Sequence, residues 1–308
     1  MRRILLFLLP SFLFTCAWID GTTIDGQFTK EGRYIGEHNI KYSIEHSSPK
    51  TKLAKIQAQN KRDTLSELER REYDAVILLL QGQYAQSITQ LLLLEEENPN
   101  QYTIASNLGT AYELLGNNQK ALKWITEGLK RNPTSHYGSE WIHKHILKMK
   151  IKLERSPNFL NNHRLFPLPK NFNFDTNVTI KGSNYTIRSL SKSLEYQLQE
   201  RTVFVKPKDK VVADLLYTLA RISAQASTVE EALKYLELSE RYGFSNPELL
   251  KEKRDLYRNI KNNTTISYTI QKWFNLDIIF YISLFSLLLI IAILVQRFLL
   301  FIYRKLKN

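Results

Sequence analysis

The sequence predicts an all-α protein: a solenoid of helical hairpins, interrupted by a loop-rich insert and followed by one C-terminal transmembrane helix. Three observations carry that expectation. Landmark residues recur at a spacing of 34, namely Gly82 and Gly116, Leu91 and Ile125, and Pro99 and Pro133, a period expected of stacked two-helix units. Small residues recur 12 apart, Ala75 with Ser87, Gly109 with Ala121 and Ala220 with Ala232, where antiparallel helices can approach closely. From Ile278 to Val295 the chain is uncharged, and 14 of those 18 residues are Leu, Ile, Phe or Val. That run is long enough to cross a hydrocarbon layer of about 30 Å.

Within the second unit, Asn107, Leu108, Gly109, Ala111 and Tyr112 fall on the first helix and Gly116 at the turn. Ala121 and Ile125 fall on the second helix, and Pro133 closes it. Gly116 can take the left-handed conformation that ends a helix, and Pro133 cannot continue one. This set resembles the tetratricopeptide repeat family. The first unit is looser, with Ala75, Gly82, Tyr84, Ser87 and Pro99 at equivalent offsets. The resemblance covers residues 68–155 well and 211–259 weakly, and the chain looks like a membrane-anchored bacterial envelope protein of that kind. It implies a scaffold whose first helices line a concave, partner-binding surface. Here that surface would present Thr103, Ser106, Thr110 and Glu113, then Tyr137, Trp141, Lys144 and Lys148. Aromatic groups beside cations spaced i,i+4 suit a protein or peptide partner bearing acidic groups or a free carboxylate.

Residues 1–17 have the layout of a signal peptide: Arg2 and Arg3, an apolar run from Ile4 to Phe14, then small residues through Ala17. Eleven residues of helix reach only about 16 Å, too short to span. Cys16, the only cysteine, offers a lipidation point but excludes an internal disulfide. Residues 18–62 read as glycine-rich irregular structure, a weakly signalled strand pair and a polar surface helix from Pro49. Asp63 is placed to cap the array at 63–155. Beyond Pro133, Ile142, Ile146, Met149 and Leu153 form a stripe expected to pack on the preceding hairpin.

Residues 156–209 carry prolines and asparagines without helical period. They read as a long loop with one extended segment near Phe172–Ile180 and a short helix with Leu190, Leu194 and Leu198 on one face. Repeat-like pattern returns over 210–261 with a polar capping helix. The transmembrane helix is expected over 274–296, before a basic tail at 297–308. Insertion of its apolar residues is favourable by about 4–8 kcal/mol. Arg297, Arg304, Lys305 and Lys307 follow it and only Lys272 lies just before it. The positive-inside rule therefore puts the C-terminus in the cytoplasm, at the inner membrane, and the soluble part outside.

The net charge of +13 owes six cations to the flanks of the two apolar runs, and no nucleic-acid motif accompanies it. No phosphate-binding glycine loop, paired-cysteine motif or hydrolase signature is present, so no cofactor or metal is expected and a non-enzymatic scaffold is the leading reading. His143 and His145, two apart on a helix, point in different directions and cannot pair as ligands. Two other readings stay open: a tail-anchored organelle receptor with cytosolic repeats, or an enzyme or glycan-binding module within 18–62 or 156–209.

Overall fold

The computed structural model describes residues 19–31, 40–61, 64–180, 182–273 and 276–307. The expected signal peptide, Cys16 and the Asp63 cap lie outside them. The described residues are mostly helical, with two short β-hairpins among them. They open with β1 (Ile19–Thr22) and β2 (Phe28–Glu31), antiparallel, then α1 (Ile40–His46) and α2 (Pro49–Asn60). Next come α3 (Glu67–Leu80), α4 (Tyr84–Glu97), α5 (Tyr102–Leu114) and α6 (Asn118–Arg131), followed by the single turn α7 (Ser135–Gly138) and α8 (Glu140–Arg155). The insert holds α9 (Phe159–Asn162), the antiparallel hairpin of β3 (Asn177–Ile180) and β4 (Ser183–Thr186), and α10 (Ile187–Phe204). The chain then continues through α11 (Lys210–Ala226), α12 (Val229–Tyr242), α13 (Pro247–Trp273) and α14 (Leu276–Lys307).

Local chemistry sets the ends of these helices. Ser66 caps α3, its hydroxyl accepting from Glu69 N–H while the Glu69 carboxylate accepts from the Ser66 backbone N–H. That reciprocal pair satisfies two of the donors a helix start leaves open. Asp209 caps α11 and Thr228 caps α12 in the same way from one side. Gly82 and Gly116 take φ of +81° and +86° at the two hairpin turns. Each is closed by the same bonds: Gln83 N–H to Leu78 O and Asn117 N–H to Tyr112 O, five residues back. Gly243 repeats the pattern through Phe244 N–H and Ser239 O, but at the end of α12. The turn between α11 and α12 has no glycine and passes through Ser227 and Thr228, which is where this hairpin departs from the other two.

One close contact expected from the 12-residue spacing is present: Ser87 donates its hydroxyl to Ala75 O at 2.8 Å. In the later hairpin Ser239 donates to Ala213 O at 2.8 Å, across 26 residues rather than 12. At Gly109 the facing group is Ile125 rather than Ala121. A Cβ on Gly109 would stand 2.4 Å from Ile125 Cδ1 and 3.2 Å from its backbone nitrogen. Gly109→Leu should therefore lower stability by about 1–3 kcal/mol through overpacking. An unchanged thermal midpoint for the full chain would place this contact elsewhere.

Two apolar cores result. The smaller joins α3–α6 through Ala75, Leu91, Leu94, Ile104, Leu108 and Ile125, and takes Leu147 from α8. The larger gathers α8, the insert, α11, α12 and α13. This corrects two expectations. The stripe of Ile142, Ile146 and Met149 faces the larger core, and it is Leu147 that packs on the preceding hairpins. A helix wedged between two layers buries two faces, which a single stripe does not reveal. The insert is likewise no solvated loop. Leu160, Phe166, Phe172, Val178 and Ile180 are buried in the larger core, and α10 is 18 residues long with Leu190, Leu194 and Leu198 inside.

At the other end, β1 is tied to α12 by Thr22, whose backbone N–H and hydroxyl both donate to Glu230, and Phe28 of β2 stacks on Tyr268 of α13 at 4.3 Å. α14 stands apart from both cores. Its segment Phe280–Arg304 has a mean hydropathy of 2.6 and none of it is buried, so it is long and apolar enough to cross a membrane. The helix runs on to Lys307, through Arg297 and the expected basic tail.

Candidate binding cleft

A buried carboxylate organises the clearest site. Glu113 lies near the end of α5, its side chain only 4% exposed. Three cations from two other helices converge on it. Arg201 of α10 approaches end-on, Nη1 to Oε1 at 2.6 Å and Nη2 to Oε2 at 3.1 Å. Lys150 of α8 donates to Oε1 at 2.8 Å, and His143 of α8 to Oε2 at 2.7 Å. His143 continues the chain: its Nδ1 stands 3.2 Å from Glu140 Oε1, and Glu140 Oε2 accepts a hydrogen bond from His136 Nδ1 at 2.5 Å. Since both nitrogens of His143 face carboxylate oxygens, which can only accept, the ring must carry both protons.

The electrostatics follow. Burial alone would raise Glu113, but Arg201 and His143 outweigh it and hold the carboxyl well below its usual range. Burial would lower His143, and Glu113 with Glu140 carries it up instead. Glu140 is likewise opposed by burial yet brought down to about 2 by His136 and His143. The sign for stability runs both ways. Glu140 contributes above its ordinary 4.5 and loses that contribution as pH falls toward 2. His143 contributes fully below 6.5 and loses it as pH rises through its raised folded value. The network is therefore strongest between those limits.

Beside the network lies a cleft of about 310 Å³ between α2, α3, α5, α8 and α10. Ile56, Val76, Leu79, Leu80 and Phe204 line its apolar wall, and Ser106, Thr110, Glu113, Lys150 and Arg201 its polar end. Lys52 and Glu200 join α2 to α10 there at 2.5 Å, both partly exposed. A wider depression of about 640 Å³ along α6, at Leu122 and Trp124, is open surface with only Lys123, Glu127 and Arg131 as charged groups. The cleft is the better candidate because charged side chains from four helices, α2, α5, α8 and α10, meet in it.

The turn before α8 is unusual. His136, Tyr137 and Gly138 are all left-handed, with φ of +49°, +55° and +71°. Non-glycine residues in that region are strained and need local support. Here the His136–Glu140 bond and the Ser139 hydroxyl, donating to His136 O at 2.7 Å, supply it. Tyr137 is left 91% exposed beside Tyr196 of α10, ring centroids 5.4 Å apart, while His136 turns into the cleft.

The structure thus brings together part of the expected surface. Ser106, Thr110 and Glu113 line the cleft, and Tyr137 stands next to it, in a turn rather than on the helix. Thr103 lies on the exposed side and donates to Glu72 at 2.8 Å. Trp141 is covered by the insert, stacked on Tyr185 at 4.2 Å and edge-on to Phe166. Lys144 is half-buried and Lys148 exposed. Five residues at about 100° each put Lys148 roughly 140° around α8 from His143, so this cation pair does not face the cleft. The cations that do are Lys150, Arg201 and Lys52. The pattern of exposed pairs does not point to them, and the one signal is Glu113 itself, a carboxylate that needs a cation when buried.

His143 and His145 diverge as expected, His145 toward Trp141 O at 2.8 Å. Among the described residues no group of three or more His, Cys, Asp or Glu is arranged to hold a metal ion. Comparison with protein-family models finds no match for this chain, and comparison with curated proteins finds none either.

Proposed function

We propose that this protein is a membrane-anchored, non-enzymatic scaffold of the tetratricopeptide kind, whose helical array holds a protein partner outside the cytoplasm. The 34-residue recurrence and the identical glycine closures at Gly82 and Gly116 support the repeat reading. α14 is long and apolar enough to be the anchor, and the basic residues after it support a C-terminus on the cytoplasmic side of the inner membrane. The observation that carries the binding role is Tyr137. An aromatic ring held almost wholly in solvent by a strained backbone, at the edge of a cleft, is poor economy for folding alone. Tyrosine in such a place is a frequent anchor of protein interfaces.

The partner therefore docks at the rim formed by Tyr137 and Tyr196. Cross-linking the full chain in its native membrane and identifying the captured protein supplies the assay. Tyr137→Ala should reduce that capture about ten-fold or more while leaving the thermal midpoint in place, since the ring packs on little. Equal capture by the variant would remove this rim from the account.

A further inference from the structure

Apart from the rim, we propose that the cleft itself is a site for a small organic acid: one carboxylate on a compact apolar body. The cleft adjoins that rim, and its occupation by an acid does not depend on a protein partner. Charge favours that occupation. Lys150, Arg201 and the doubly protonated His143 face Glu113 and Glu140, with Asp209 acting on Arg201 from the side, and Lys150 shares the single oxygen Glu113 Oε1 with Arg201, which makes its ammonium the least compensated cation at the polar end. Lys52 and Glu200 cancel each other at 2.5 Å. A poorly compensated cation partly withdrawn from water is costly unless an anion joins it.

Donor capacity agrees with the charge. An ammonium has three N–H donors, and Lys150 gives one to Glu113 while its side chain stays 23% exposed in the cleft lining. Arg201 spends its two terminal nitrogens on Glu113 and its unpartnered Nε is itself buried, so the donors open to a ligand at this end are those of Lys150. Lys52, 31% exposed, has spare donors beyond Glu200. Opposite these groups stand Ile56, Val76, Leu79, Leu80 and Phe204, which offer nothing to a polar ligand. A volume of about 310 Å³ is at the small end for ligand sites. An inorganic anion would leave the apolar wall wet, and an apolar amine would meet the Lys150 ammonium as a like charge. An apolar carboxylate satisfies both halves.

The test uses the full chain in lipid nanodiscs, with empty discs as control, and isothermal titration of 4-phenylbutyrate, 4-phenylbutylamine and 4-phenylbutanol. The acid should bind saturably with a Kd of about 0.1 mM, ordinary for a ligand of roughly a dozen non-hydrogen atoms. The alcohol should bind about ten-fold more weakly or worse, for want of the charge-assisted bond, and the amine not at all above empty discs. Lys150→Gln should weaken the acid about ten-fold, and Val76→Trp, which fills the cleft, should abolish it, each with the thermal midpoint confirming a folded chain. No saturable binding of the acid, equal binding of acid and amine, or indifference to both substitutions would overturn the inference. Protein capture through Tyr137 in the absence of acid binding would leave the scaffold standing and refute only this proposal.

Discussion

Replacing Glu113 with leucine should lower the stability of the folded chain by about 3–5 kcal/mol, the usual consequence of removing one partner from a buried ion cluster. The loss comes less from the bonds themselves than from what remains. Arg201, 7% exposed, would be left with no carboxylate, and His143 with only Glu140. Lys150 can turn partly to water and softens the effect. Changing both partners separates the two contributions. Glu113→Leu with Arg201→Met should recover part of the loss, since apolar groups of similar size often replace a buried pair without penalty. The pH profile adds a second readout. The native chain should be most stable between about pH 4.5 and 6.5 as far as this network is concerned, Glu140 supplying about 3 kcal/mol that fades toward pH 2. In Glu113→Leu the decline above pH 6.5 should flatten, because His143 loses the larger of its two carboxylate contacts. Urea titrations of the detergent-solubilised full chain across that range measure both, and a loss under 1 kcal/mol on the roughly 3–5 kcal/mol scale would mean that Glu113 is not the hub.

Leu288→Lys combined with Ile291→Lys should release the protein from the membrane. Each lysine near the middle of a span costs about 3–4 kcal/mol once the lost apolar residue is counted, so the pair removes roughly 6–8 kcal/mol. The apolar residues of α14 favour insertion by only about 4–8 kcal/mol. Both positions are exposed on α14 and touch neither core, so the soluble part should fold as before. Extraction of membranes at alkaline pH should leave the native chain in the pellet and move the variant to the supernatant. A native chain that extracts as easily as the variant would show that α14 does not span.

How legible this was from the sequence differs from region to region, for physical reasons. The hairpins α3–α6 were visible because their requirements are local: a left-handed glycine at each turn, a small residue where helices touch, a proline past the end. Ser66 and Glu69 carry an equally local signal, a serine and a glutamate three apart, and it is Ser66 rather than Asp63 that caps α3. The insert was opaque because Phe166 and Phe172 are buried by distant helices, and no period of their own announces it. α10 showed its leucine stripe but not its depth, since Arg201 finds Glu113 across 88 residues of chain. The cleft lay half within reach. Ser106, Thr110 and Glu113 follow from the helix face, whereas Lys144 and Lys148 were chosen as an exposed pair on a helix whose buried side proved to be double.

Photo-cross-linking from Tyr137 tests the scaffold account most directly. A benzophenone amino acid placed at position 137, and separately at position 148 on the outer side of α8, is activated in cells carrying the full chain in the native membrane. The account predicts a discrete protein adduct from position 137 that is absent, or much weaker, from position 148. An adduct formed from position 148 alone, or none from position 137 while the protein is folded and anchored, would contradict it.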